Sequence, residues 1–201
     1  MDRRFAVILM ICLMEAGFRL LSGFVQADVL AFTLFARLIQ MAVILGFSFQ
    51  LCGIKTVSLP RELATGLAVS CIFGALVLCA DLSSRFILDR GLLSLLIAKQ
   101  HINSVMLYLL AGCLFGPFVE ELFFRGLLYS WVRERIPAVP SIIVTSLLFS
   151  SVHGFLSPIQ FIGGILFASI YEWRRNIWAP FVIHALGNIG IWIVPSIYPP
   201  M

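Results

Sequence analysis

Glu120-Glu121-Leu122-Phe123-Phe124-Arg125 sets three charges inside an apolar run that begins near Ser104 and ends at Trp131. Each charge in the middle of a membrane helix costs roughly 2.5–3.5 kcal/mol on insertion scales, so such residues face a protein interior or a water-filled cavity. An i,i+4 spacing puts Glu121 and Arg125 on one helix face as an ion pair. Glu120 stands about 100° round from Glu121 and points elsewhere, with no local cation. One carboxylate is predicted to be tied down and the other to be free.

The surrounding composition identifies the solvent. Of 201 residues, 61% are hydrophobic and 12% charged, with a mean hydropathy of +1.03. A soluble domain carries about 25% charged residues, so the expected class is an all-α, polytopic helical membrane protein embedded in a lipid bilayer. The net charge of +4 reads as loop topology, because no basic run with interleaved aromatics exists to bind nucleic acid. The five cysteines, Cys12, Cys52, Cys71, Cys79 and Cys113, are scattered without a C-x-x-C pair. They read as small core hydrophobes rather than as a disulfide framework or a zinc site.

About seven spans are predicted: 5–21, 29–51, 62–80, 104–131, 138–155, 158–173 and 177–194. The first resembles a signal peptide, but no small-x-small cleavage site follows Met10 and Glu15 interrupts it, so it is expected to be retained. Glu15 and Arg19 form a second i,i+4 pair, and Arg37 lies alone in the second span. That arginine could snorkel, pair with a carboxylate of a neighbouring helix, or meet a negative group of a substrate. Segment 81–103 has too few apolar positions to cross and is expected to form an interfacial or re-entrant amphipathic helix, unless 86–98 makes an eighth span. Residues 1–103 then form an N-terminal group of helices, and 104–195 the catalytic core of one integrated domain.

The basic residues sort by side. Arg3, Arg4, Lys55, Arg61, Arg133, Arg135, Arg174 and Arg175 fall together, against Arg85, Arg90 and Lys99 opposite. The positive-inside rule makes the amino terminus cytoplasmic and the carboxyl terminus external. Counting 1.5 Å per residue from the basic ends puts Glu120, His153, His184 and Asn188 at depths of ~20, ~22, ~12 and ~18 Å. His184 and Asn188 share a helix face. Four polar groups from three helices are thus expected in one site near the membrane middle.

A carboxylate and an imidazole sharing a water can abstract its proton and pass it on. A second histidine with an amide can donate to the oxyanion of a tetrahedral intermediate. The set therefore suits hydrolysis of an amide by activated water. Glu120, His153 and His184 would also make an acceptable zinc set, but they lack a close pair such as H-E-x-x-H, so the metal-free version is favoured.

Glu120-Glu121-x-x-x-Arg125, Phe149-x-x-x-His153 and His184-x-x-x-Asn188, in that order on successive helices, resemble the three motifs of the CPBP intramembrane proteases. That family comprises the CAAX prenyl endopeptidases and the bacteriocin-processing and self-immunity proteins. The likeness covers about residues 104–190, including the linker-like stretch from Ser169 to Pro180. It implies an endopeptidase that cuts near the carboxyl end of a membrane-associated protein or peptide. By motif position Glu120 would be the general base and His153 would help bind the water. His184 and Asn188 would stabilise the oxyanion, and Glu121 and Arg125 would brace the site. The resemblance leaves the metal open. The short chain with little extramembrane mass points to a bacterial or archaeal cytoplasmic membrane, and to a protein tail, lipoprotein-like precursor or peptide rather than a prenylated substrate. Two other classes are a non-catalytic immunity or scaffold protein that retains the motifs, and a small transporter. The transporter is disfavoured because the halves show no inverted repeat.

Overall fold

The computed structural model describes residues 2–25, 27–48, 54, 58–89, 91–93, 102–153 and 157–197. Among them the chain is all-α, in seven helices. These are α1 (Arg3–Ser22), α2 (Val29–Ser48), α3 (Leu59–Leu88), α4 (Val105–Arg133), α5 (Ala138–Val152), α6 (Pro158–Arg174) and α7 (Trp178–Ile197). Helices α1 to α4 are each long and apolar enough to cross a bilayer. Helix α5, with 15 residues, reaches only ~22 Å at 1.5 Å per residue, against a hydrocarbon core of ~30 Å.

The boundaries follow from capping. Asp2 accepts the Arg4 backbone N–H to open α1, which satisfies a donor the helix would otherwise leave unpaired. That bond holds the Asp2 carboxyl below its ordinary range, with help from Arg135 and Trp131. Pro60 lies in the first turn of α3 and Pro158 opens α6, where a missing N–H is harmless. Helix α3 corrects the expected third span. It runs eight residues beyond Ala80, so Asp81–Leu88 continue a membrane helix instead of starting an interfacial one. Its last turns hold because Asp81 accepts both Arg85 Nε (2.9 Å) and the Leu93 backbone N–H (2.7 Å), so the charge is paired. Residues 90 and 94–101 of the expected interfacial segment lie outside the described residues.

Helix α4 is central. It packs on α2 and α7, touches α1, α5 and α6, and supplies more of the buried core than any other helix. Helices α5 and α6 pack as a pair, α6 lies on α7, and α3 packs chiefly on α7. A Cβ at Gly66 would sit 2.7 Å from Val182 Cβ and 2.9 Å from the Ala179 carbonyl oxygen, so only glycine lets α3 approach α7 this closely. The remaining faces of α3 point outward, and this corrects the expectation for the cysteines. Cys12, Cys71 and Cys79 are exposed and only Cys113 is buried, because apolar side chains on a membrane helix need not face the protein interior. Cys52 lies outside the described residues.

Ion pairs link the helix ends. Arg4 pairs with Glu134, Arg135 with Asp2 (3.1 Å), Arg133 with Glu172 (3.2 Å) and Arg174 with Glu62 (2.6 Å). The starts of α1 and α3 and the ends of α4 and α6 thus meet at one end of the molecule. This is the end to which the sequence assigned most of its arginines.

Candidate active site

Helix α4 is not a regular α-helix around the Glu-Glu pair. Two wide, π-helical stretches, Leu109–Phe115 and Leu122–Tyr129, flank the α-helical turn Gly116–Glu121. Pro117 has no N–H to give the preceding turn, and its ring crowds a carbonyl one turn back. A Cβ at Gly116 would fall 2.4 Å from the Ala111 carbonyl oxygen. The helix widens instead of breaking, and wide turns of this kind often accompany functional sites. The Gly116-Pro117 step therefore sets the rotation at which Glu120 and Glu121 leave the helix.

The expected ion pair forms: Arg125 Nη1 donates to Glu121 Oε1 at 2.8 Å, with both side chains buried. Arg125 Nη2 reaches the Gly164 carbonyl at 3.4 Å. Its guanidinium carbon lies 4.7, 5.1 and 5.8 Å from the ring centres of Phe149, Phe167 and Phe124, where ring faces stabilise a cation. The same Glu121 oxygen accepts His184 Nδ1–H at 2.9 Å. Glu121 therefore bridges the cation on its own helix to an imidazole on α7.

His184 and His153 approach Glu120 from α7 and from the end of α5. His153 Nε2 lies 3.3 Å and His184 Nε2 3.7 Å from the same oxygen, Glu120 Oε2. Behind each ring an acceptor fixes the other nitrogen as a donor: the Phe149 carbonyl takes His153 Nδ1–H at 2.8 Å, and Glu121 takes that of His184. Both Nε2 atoms are thereby turned toward Glu120. The environments differ: the His184 side chain is 4% exposed and stacks on Phe167, whereas that of His153 is 26% exposed.

The fourth residue of the expected cluster is placed differently. Asn188 Nδ2 donates to the Gly112 carbonyl at 2.7 Å, and its own backbone carbonyl accepts the Tyr108 hydroxyl at 3.0 Å. It ties α7 to the first wide stretch of α4, one turn along from His184. Glu120, expected to have no cation on its own helix, has one from another: Arg37 Nη2 lies 3.6 Å from its Oε1, the neighbouring-helix pairing that was one of the alternatives for this arginine. Helical geometry on α4 alone could not reveal a partner supplied by α2. Arg37 Nη1 also donates to Glu15 (2.8 Å) and Gln40 (2.6 Å), and Glu15 holds Arg19 at 3.1 Å as its spacing implied. Gln40 had no sequence signal beyond being an amide in an apolar helix. A cleft of about 200 Å³ between α1 and α2 is lined by Glu15, Phe18, Arg19, Phe32 and Arg37, among others.

Two imidazoles and a carboxylate are donors that zinc accepts. The 3.3 and 3.7 Å separations lie near the edge of about 3.3 Å expected for a tetrahedron with ligands at ~2.0 Å. Among the described residues, however, no group of three or more His, Cys, Asp and Glu side chains is gathered as a metal centre. In donor chemistry the site suits zinc, and it suits a water molecule equally well.

Residues 102–190 match the family model described as Rce1-like, type II CAAX prenyl endopeptidase. A Bacillus subtilis (strain 168) protein, named provisionally as membrane peptidase YdiL, is 26% identical over 95 residues. That stretch is 46% of this chain and 39% of the relative, so the match spans well under half of the relative's length. No solved structure matches the chain.

Proposed function

We propose that this chain, whose residues 102–190 match the Rce1-like type II CAAX prenyl endopeptidase model, is an intramembrane endopeptidase in which Glu120 and His153 activate a water molecule. The family match supports a protease in a membrane. The residue roles rest on one observation, the convergence of two imidazole Nε2 atoms on Glu120 Oε2.

A water held between Glu120 Oε2 and His153 Nε2 gives a proton to the carboxylate and keeps a lone pair for the substrate carbonyl carbon. Attack moves one water proton to Glu120 and forms a tetrahedral oxyanion. His184, oriented by Glu121 through Nδ1, faces that oxygen through Nε2 as its donor. The Asn188 amide proton not engaged by Gly112 is the second donor we propose. Removing one such donor typically costs 10²–10³ in kcat. Collapse breaks the C–N bond, and Glu120 returns its proton to the departing amine. Glu121 and Arg125 brace the imidazole and do not touch the substrate. If zinc enters, Glu120, His153 and His184 would hold it, and it would polarise the carbonyl and acidify bound water.

The substrate we propose is a membrane-associated protein or peptide, because the site lies among apolar helices. We further propose a bacterial or archaeal cytoplasmic membrane with the amino terminus inside. Mass spectrometry of membrane-protein termini in cells carrying wild type or Glu120→Gln, with a chelator-treated wild-type sample beside them, tests the proposal. A new terminus present in wild type, absent in Glu120→Gln and kept under chelation is expected. A terminus lost under chelation as well would move the chemistry to a metal. No Glu120-dependent terminus would instead favour a non-catalytic immunity or scaffold protein that retains the motifs.

A further inference from the structure

The family match begins at residue 102, yet a charged side chain that reaches Glu120 comes from α2. Carboxylate oxygens are equivalent in isolation, and here they are not. Oε2 faces both imidazoles, while Oε1 faces the Arg37 guanidinium at 3.6 Å. Arg37 is itself held, because Nη1 donates to Glu15 Oε2 and Gln40 Oε1 and Gln40 Nε2 donates to the same Glu15 oxygen at 3.0 Å. Gln40 is 1% exposed, so this bracket is packed and not a solvated surface pair. Glu15 in turn holds Arg19, whose Nη2 donates to the Val152 carbonyl at 2.6 Å, one residue from His153. A continuous chain of polar contacts thus runs from α1 and α2 to both Glu120 and the segment carrying His153.

We propose that Arg37 is a positioning residue for hydrolysis. Anchored by Glu15 and Gln40, it fixes Oε1 of Glu120 so that Oε2 is presented to His153 and His184. A planar fork suits the task, since Nη1 serves the bracket while Nη2 serves the carboxylate, and an ammonium on a flexible stem cannot hold both in fixed register. The α1–α2 pair is then part of the working site and not only a membrane anchor. This inference rests on the proposed role of Glu120, and it is tested with one readout that needs turnover and one that does not.

On the substrate found through the Glu120-dependent terminus, Arg37→Met is expected to lower kcat roughly tenfold to a hundredfold, the scale of a 1 Å misplacement, with KM within about twofold. Arg37→Lys should recover part of that loss. A raised KM with unchanged kcat would make Arg37 a substrate-binding residue and overturn the proposal, as would wild-type kinetics. Separately, difference infrared spectra of the purified protein in nanodiscs assign the Glu120 carboxylate band as the one lost in Glu120→Gln. That band should shift in Arg37→Met and stay in place in the exposed control Arg61→Met. An unshifted band overturns the Arg37–Glu120 contact whether or not the protein cleaves anything. If no Glu120-dependent product exists, the protease assignment fails while the infrared test of the contact still stands.

Discussion

His153 and His184 reach the same carboxylate oxygen, yet losing each has a different expected consequence. His153 is partly exposed and held behind by a backbone carbonyl that can find other partners. His153→Ala should therefore lower kcat by about 10²–10⁴, the usual range for acid–base groups, with little change in thermal stability. His184 is buried and supplies a donor to Glu121. His184→Ala should lower kcat by about 10²–10³, the usual loss for one oxyanion donor, and also cost about 1–3 kcal/mol, the penalty of leaving a buried acceptor short of a partner. Kinetics paired with unfolding in detergent separates the two, and equal stability losses would contradict the assignment. At this scale the sequence was most legible where partners share a helix. Glu121–Arg125 and Glu15–Arg19 follow from an i,i+4 spacing and are both formed. Glu120–Arg37 joins helices 83 positions apart in sequence, so no local rule pairs them. For the same reason Asn188 could be assigned to a face and a depth, but its bond to the Gly112 carbonyl was beyond reach.

The helix that presents Glu120 and Glu121 works through its irregularity. With Pro117 withholding an N–H and Gly116 pressed against the Ala111 carbonyl, α4 takes wide turns on both sides of the acidic pair. Gly116→Ala puts a methyl carbon where 2.4 Å separates it from a backbone oxygen. It should destabilise the protein by about 1–3 kcal/mol, as overpacking does, and reduce turnover because Glu120 rotates with the helix. Measuring both together decides the point: full activity in a folded Gly116→Ala protein would mean that the wide turn does not aim the carboxylates. A regular helical wheel served well for placing spans and poorly here. The Gly-Pro step was the available signal, and reading it as a widened helix requires knowing that neighbouring helices hold α4 together around the defect. The charges at 81–88 misled for a related reason. They suggested an interface, whereas Asp81 is neutralised by Arg85 and by the Leu93 N–H, and the helix continues to Leu88.

Across the whole molecule, ion pairs gather the starts of α1 and α3 and the ends of α4 and α6 at one end. Single cysteines replacing Arg61 and Arg135 in a cysteine-free background should therefore react with an impermeant maleimide from the same side. Labelling from opposite sides would contradict the bundle. That grouping was legible because loop charge is counted without knowing any contact. The convergence of His153 and His184 on Glu120 was legible from matched depth, but the contribution of α1 and α2 was not, since depth says nothing about which helices are neighbours. Glu120 is proposed to activate water for peptide-bond hydrolysis. That role is tested most directly with purified protein, stripped of metal and reconstituted in liposomes, by the rate of cleavage of the substrate identified in cells, wild type against Glu120→Gln. The account predicts that stripped wild type cleaves and that Glu120→Gln is slower by at least about a hundredfold. Cleavage by Glu120→Gln at the wild-type rate would contradict it.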